Sequence, residues 1–123
     1  MKTSQKKAKA RMLQNYVRDE FRKIFSSVLD DDDIKAQTMG CSGCDIVLTP
    51  TAKKLIPFDI ECKNQQSFNI TSAIKQAEKN SISGRIPIVV FKKNFTHPYV
   101  SLSFENFIKL LYKDDFTIET SQK

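Results

Sequence analysis

The chain has 123 residues, 40% of them hydrophobic, and a formal net charge of +6. That is the length and apolar share of one compact domain, residues 1–123, with a modest core, and it excludes a disordered chain. No run of about 18 apolar residues is present, so no membrane span is expected.

The start of the chain is basic but lacks the apolar stretch of a secretory signal, and the three cysteines do not have the spacing of a disulfide framework. A cytoplasmic protein with reduced thiols is the expectation. The charge is uneven. Residues 1 to 23 hold eight basic and two acidic side chains, and the other hundred residues balance at 12 of each. A polyanion, an anionic membrane surface or plain solubility would each account for such a segment.

From about Lys9 to Val28, apolar residues recur at Leu13, Val17, Phe21, Ile24 and Val28, the stripe of an amphipathic helix. Residues 1–8 before it are expected to be a flexible basic arm. The other faces of the helix carry Arg11, Arg18, Arg22 and Lys23, so it can pack on a core and present cations outward. Four aspartates, Asp30 to Asp33, oppose the dipole at the helix C-terminus and mark its end.

Ile34 to Met39 has the composition of a first strand, and "GCSGCD" follows as a tight turn. "DIVLTP" is expected to be a second strand closed by Pro50, and "LIPFDIECK" a third, with a turn around Thr51 to Lys54 making the two a hairpin. That pairing would bring Asp45 near Glu61. In the third strand Asp59, Glu61 and Lys63 share one face, opposite Phe58, Ile60 and Cys62.

A second helix is expected over about Thr71 to Ser81, capped by Asn69 or Thr71, with Gln76 and Asn80 four apart on one side. "RIPIVVFKK" has the near-continuous apolar character of a central strand. Tyr99 to Leu102 is a shorter strand, and a final helix begins at the N-cap candidate Ser103 with Phe104, Phe107, Ile108 and Leu111 as its packing face. Residues 114–123 are polar and expected to fray. The order αβββαββα implies an α/β domain with a mixed sheet flanked by helices.

Asp45 and Glu61 on adjacent strands can share a hard divalent cation, with the backbone carbonyl of Cys62 as a third oxygen ligand. Lys63 would steady charge on a phosphate beside it. Such an ion polarises a phosphodiester and acidifies water, which is what hydrolysis requires.

The pattern Asp45 … Glu61-x-Lys63, in its setting of helix, three strands, helix and strand, resembles the PD-(D/E)xK nuclease superfamily. "MGCSGCDIVLTP", "IPFDIECKN", "AIKQAEKN" and "GRIPIVVFKKN" together resemble small phage-type members grouped with Holliday-junction resolvases. Cys44 stands where the superfamily's name has proline.

The resemblance implies a restriction-endonuclease-like core and an Mg2+-dependent DNA endonuclease, with Mn2+ as a substitute metal. It implies metal-binding acids at Asp45 and Glu61, a catalytic lysine at Lys63, further site residues at Glu20 and Gln76, selectivity for branched DNA, and a homodimer. Lys6, Lys7, Lys9, Arg11, Arg18 and Arg22 would then contact phosphates. The alternatives are a nicking or repair-type nuclease without junction preference and a binding module that does not cut. Cys41-x-x-Cys44 with Cys62 and His97 supplies only one zinc knuckle, which argues against a structural zinc site.

Overall fold

A computed structural model describes residues 3–112. In chain order the elements are α1 (Thr3–Ile24), a 3-10 turn (Asp31–Asp33), β1 (Ile34–Ala36), β2 (Ile46–Leu48), α2 (Pro50–Leu55), β3 (Phe58–Asn64), α3 (Ile70–Asn80), β4 (Ile86–Lys92), β5 (Tyr99–Ser101) and α4 (Phe104–Tyr112). This is an α/β fold in which four α-helices flank a two-stranded and a three-stranded sheet, consistent with a restriction-endonuclease-like core. The expected fraying of residues 114–123 lies outside the described residues.

Helix α1 begins at Thr3, so most of the expected arm is helical. The reason is that Gln5 to Ala10 are all good helix formers with no breaker among them. Leu13 and Val17 are buried and Phe21 packs beside them, but the helix ends at Ile24, and both Ile24 and Val28 are exposed. The stripe is therefore shorter than the sequence pattern suggests. Arg22 donates from Nε to the Ile34 carbonyl at 2.9 Å and from Nη2 to the Asp31 carbonyl at 2.9 Å, which ties the helix to β1.

The three-stranded sheet has the order β3-β4-β5, with β3 and β4 parallel and β4 and β5 antiparallel. The apolar β4 is central, as its composition requires. The expected hairpin of the second and third strands is not formed. Instead β2 pairs antiparallel with β1, Ile34 opposite Leu48 and Ala36 opposite Ile46, and α2 separates β2 from β3. The cause is in Thr49-Pro50: the Thr49 hydroxyl accepts from the Ala52 N–H at 3.2 Å as an N-cap, and Pro50 opens the first turn.

The main core lies on one face of β3 and β4, where Ile60, Cys62, Ile86 and Ile88 meet Leu13 and Val17 of α1 and Ile34 and Ile46 of the small sheet. On the opposite face, Ala73 and Ala77 of α3 pack against Val89 with Phe68 and Phe91 around them. Two alanines let the helix lie close to the sheet. The expected packing face of α4 is corrected: Phe104 and Phe107 are exposed and stack on each other at 6.4 Å, while Leu110 is the residue that packs on the core.

Asp59 is not a surface charge. It is 7% exposed and receives the Arg85 Nε at 2.6 Å, the Ser81 hydroxyl at 2.8 Å and the Ile82 N–H at 3.0 Å. Burial works against its anion, but these donors, Arg85 foremost, outweigh it and lower the carboxyl below its usual value. Arg85 also donates to the carbonyls of Lys53, Ile56 and Phe58, joining α2 to the start of β3. Arg85→Ala strands a buried carboxylate and three carbonyls, so it is expected to cost about 3–5 kcal/mol, measured by urea unfolding. A loss under about 1 kcal/mol would mean that the pair does not hold this corner.

Candidate active site

The site forms at the open edge of β3, the side not paired with β4. The chain leaves β1 through a loop in which Gly40 and Gly43 adopt φ of +87° and +99°, conformations that disfavour a side chain. Gln37 N–H bonds the Asp45 carbonyl at 2.7 Å and closes that loop. Asp45 then meets β3 twice, its own N–H donating to the Ile60 carbonyl at 3.0 Å and its Oδ2 accepting from the Cys62 N–H at 2.7 Å. The N–H and C=O of one strand residue point to the same edge, so the Cys62 carbonyl lies on the Asp45 side as well.

Those bonds bring the Asp45 carboxyl within hydrogen-bonding reach of Glu61. From the other side, Asn80 at the end of α3 donates its Nδ2 to Glu61 Oε1 at 2.8 Å. Burial pushes the Glu61 carboxyl up. The Asn80 amide opposes the rise, the hydrogen bond and charge of Asp45 add to it, and the result is about 7. Two carboxyl groups so close cannot both ionise cheaply unless a cation joins them.

A cleft of about 240 Å³ opens over this pair, lined by Asp45, Glu61, Cys62 and Lys63 together with Lys6 and Gln14 of α1. The Lys63 ammonium makes no hydrogen bond or ion pair with another described residue, so it is available to the cleft.

A family model described as "Phage putative PDDEXK endonuclease" matches residues 7–123. The chain belongs to this family. No curated protein matches it, and no solved structure does.

In this PDDEXK endonuclease, Asp45, Glu61, Cys62 and Lys63 come together, whereas Glu20 and Gln76 do not join them. Glu20 accepts from Lys23 Nζ at 2.8 Å, an ion pair along α1. Gln76 is exposed on α3 and does not line the cleft. From the two helices, Asn80 reaches Glu61 and Gln14 lines the same cleft. Gln14 is 6% exposed, lines the cleft, and its amide bonds no other described residue. A buried polar position inside the apolar stripe of α1 was the signal for it; for Asn80 the signal was its place at the helix end, facing β3.

The basic residues divide in the same way. Lys6 and Lys9 line the cleft or the groove beside it, and Lys7 and Arg11 are exposed. Arg18 is engaged with Asp19 at 2.8 Å and Asn15 at 3.2 Å, and Arg22 with backbone carbonyls. Among the described residues no three His, Cys, Asp or Glu side chains cluster. A cation between Asp45 and Glu61 would therefore complete its shell with the Cys62 carbonyl and waters, which suits Mg2+. Burial raises the Cys44 thiol to about 11 and raises Cys62 further.

The raised Glu61 carboxyl has a direct consequence for stability. The folded chain holds this proton more tightly than the unfolded chain, so the contribution is favourable at acid pH and is lost as pH rises from about 4.5 to about 7. In EDTA the urea midpoint is expected to fall over that range. Glu61→Gln should flatten the fall, and Mg2+ should restore the midpoint at pH 8. A midpoint unchanged by Mg2+ at pH 8 would mean that the pair takes no cation.

Proposed function

We propose that this protein is an Mg2+-dependent DNA endonuclease that hydrolyses phosphodiester bonds, with Mn2+ as a substitute metal and a preference for branched DNA. The observation that carries the reading is the convergence of two carboxyl groups, a strand-edge carbonyl and an unengaged ammonium in one cleft of a PDDEXK family chain. The bound ion would supply charge stabilisation at the phosphate and a more acidic water.

Asp45 and Glu61, with the Cys62 carbonyl, are the groups suited to hold that ion. The Cys62 N–H orients Asp45 and the Asn80 amide orients Glu61, so neither carboxylate has to be ordered at the moment of reaction. Lys63 would offset the charge that gathers on the phosphate oxygens. Gln14 brings a donor and an acceptor into the cleft with no partner among the described residues, and would hold a water or a phosphate oxygen. Lys6 and Lys9 lie where the flanking phosphates would run. A homodimer would set two such clefts against two strands, and it would work inside the cell, where its substrate is.

Cleavage of labelled duplex, flap and four-way-junction DNA with Mg2+ tests the assignment. Asp45→Ala and Lys63→Ala are each expected to slow cutting by about 100- to 1000-fold with DNA binding retained. Gln14→Leu should slow it by about 10- to 100-fold. A parent protein that binds all three substrates and cuts none would favour a binding module, and equal rates on the three would favour a nuclease without junction preference. Native mass measurement checks the dimer.

A further inference from the structure

Beside the cleft, and continuous with it, is a second feature that cutting a phosphodiester does not require. Asn64 lines the cleft, a shallow groove carrying Lys6 and Lys9, and beyond that a larger hollow of about 470 Å³. The hollow has Tyr16, Met12 and Pro98 as its apolar wall and Lys9, Lys92 and His97 among its polar lining. Among the described residues, no acidic side chain lines either the groove or the hollow. Tyr16 is half-exposed there, and Met12 more so.

The loop between β4 and β5 lines this hollow with Asn94, Thr96, His97 and Pro98, and carries Phe95 between the first two of them. Phe95 is 103% exposed, with its whole ring in solvent, and its φ of +63° is a conformation that bulky residues avoid. Among the described residues, nothing packs on Phe95 to reward a phenylalanine at that place. The loop is nonetheless firmly held. Thr96 N–H bonds the Lys93 carbonyl at 3.2 Å, Asn94 N–H bonds Gln66 Oε1 at 2.9 Å, and Lys9 Nζ bonds Asn94 Oδ1 at 2.6 Å. Phe91 and Tyr99, 5.9 Å apart, brace its two strands. A strained, fully exposed ring on a fixed turn beside a basic hollow has the character of a part shaped for a ligand.

We propose that Phe95 and the Tyr16 hollow form a binding site for DNA at the boundary between duplex and single strand. Phe95 stacks on the last base pair as a wedge, and the first unpaired nucleotide enters the hollow. A nucleotide needs a cation for its phosphate and an aromatic or apolar face for its base, and the hollow offers both. Its continuity with the cleft through Lys9, Lys6 and Asn64 sets the strand on course for Asp45 and Glu61. This rests on the nuclease reading and gives it a substrate class: DNA with an unpaired nucleotide beside a duplex, as in a flap or an opened junction.

The test measures binding of the full chain, with Ca2+ in place of Mg2+, to a short duplex and to the same duplex bearing a flap with 2-aminopurine as its first unpaired base. Phe95→Gly and Tyr16→Ala should each weaken flap binding about tenfold and duplex binding less than twofold, and both should lose the quenching that the parent produces. Phe95→Trp should keep it. Phe95→Gly should melt no lower than the parent, because glycine relieves the positive φ.

Equal losses on both substrates, or no quenching by the parent, would overturn the proposal. So would a change of oligomeric mass in Phe95→Gly, which would make the loop a subunit contact. A parent that quenches the flap base but cuts no DNA with Mg2+ would end the nuclease reading and leave this site standing. A parent that cuts, with Phe95→Gly and Tyr16→Ala binding as it does, would do the reverse.

Discussion

The structure depends on two hydrogen bonds between backbone groups of β3 and a residue that belongs to no sheet. Asp45 gives its N–H to Ile60 and receives the N–H of Cys62 on its carboxylate, so a loop residue is fixed against the strand edge as firmly as a ladder partner would be. With that side chain fixed, its charge and hydrogen bond add to burial in raising the Glu61 carboxyl. The resulting frustration is local. It is what a cation-binding site looks like before the cation is counted.

The charged row of β3 is therefore two devices, not one. Asp59 and Glu61 share a face and lie about 6 to 7 Å apart along the strand, yet their neighbours give them opposite fates. Asp59 has a guanidinium, a hydroxyl and an N–H, and is held ionised as a structural anchor. Glu61 is half-buried beside a rival carboxyl, and the Asn80 amide and the Lys63 charge only partly offset this, so its carboxyl is raised to about 7. Successive residues at the end of α3 serve the two acids, Asn80 reaching Glu61 and Ser81 reaching Asp59. One helix terminus thus sets both the rigidity of the corner and the aim of the catalytic candidate.

Much of this was legible in the sequence, and the misses have physical causes. Period-two alternation in "FDIECKN" gave the faces of β3, and the apolar run of β4 gave its central place. The proximity of Asp45 to Glu61 could be anticipated, but for the wrong reason. A hairpin was expected where a short helix stands, because Pro50 was taken as the end of a strand although Thr49-Pro50 is equally the start of a helix. The acids meet because a loop turns inward, a long-range outcome that periodicity does not encode. The resemblance pointed to Glu20 on α1, yet its partner Lys23 lies one turn away and the cleft receives Gln14 instead. For α4 the apolar pattern is real, but Leu110 meets the core and Phe104 and Phe107 do not. Tertiary context decided each of these.

The central claim is that a loop aspartate and a strand glutamate are held together in order to share a cation. Anomalous diffraction from a crystal grown with Mn2+ tests it most directly. The account predicts one peak, bonded to carboxylate oxygens of Asp45 and Glu61 and to the Cys62 carbonyl. A peak at Cys41 and Cys44, or an ordered Asp45–Glu61 pair that stays hydrogen-bonded with no metal between them at saturating Mn2+, would contradict it.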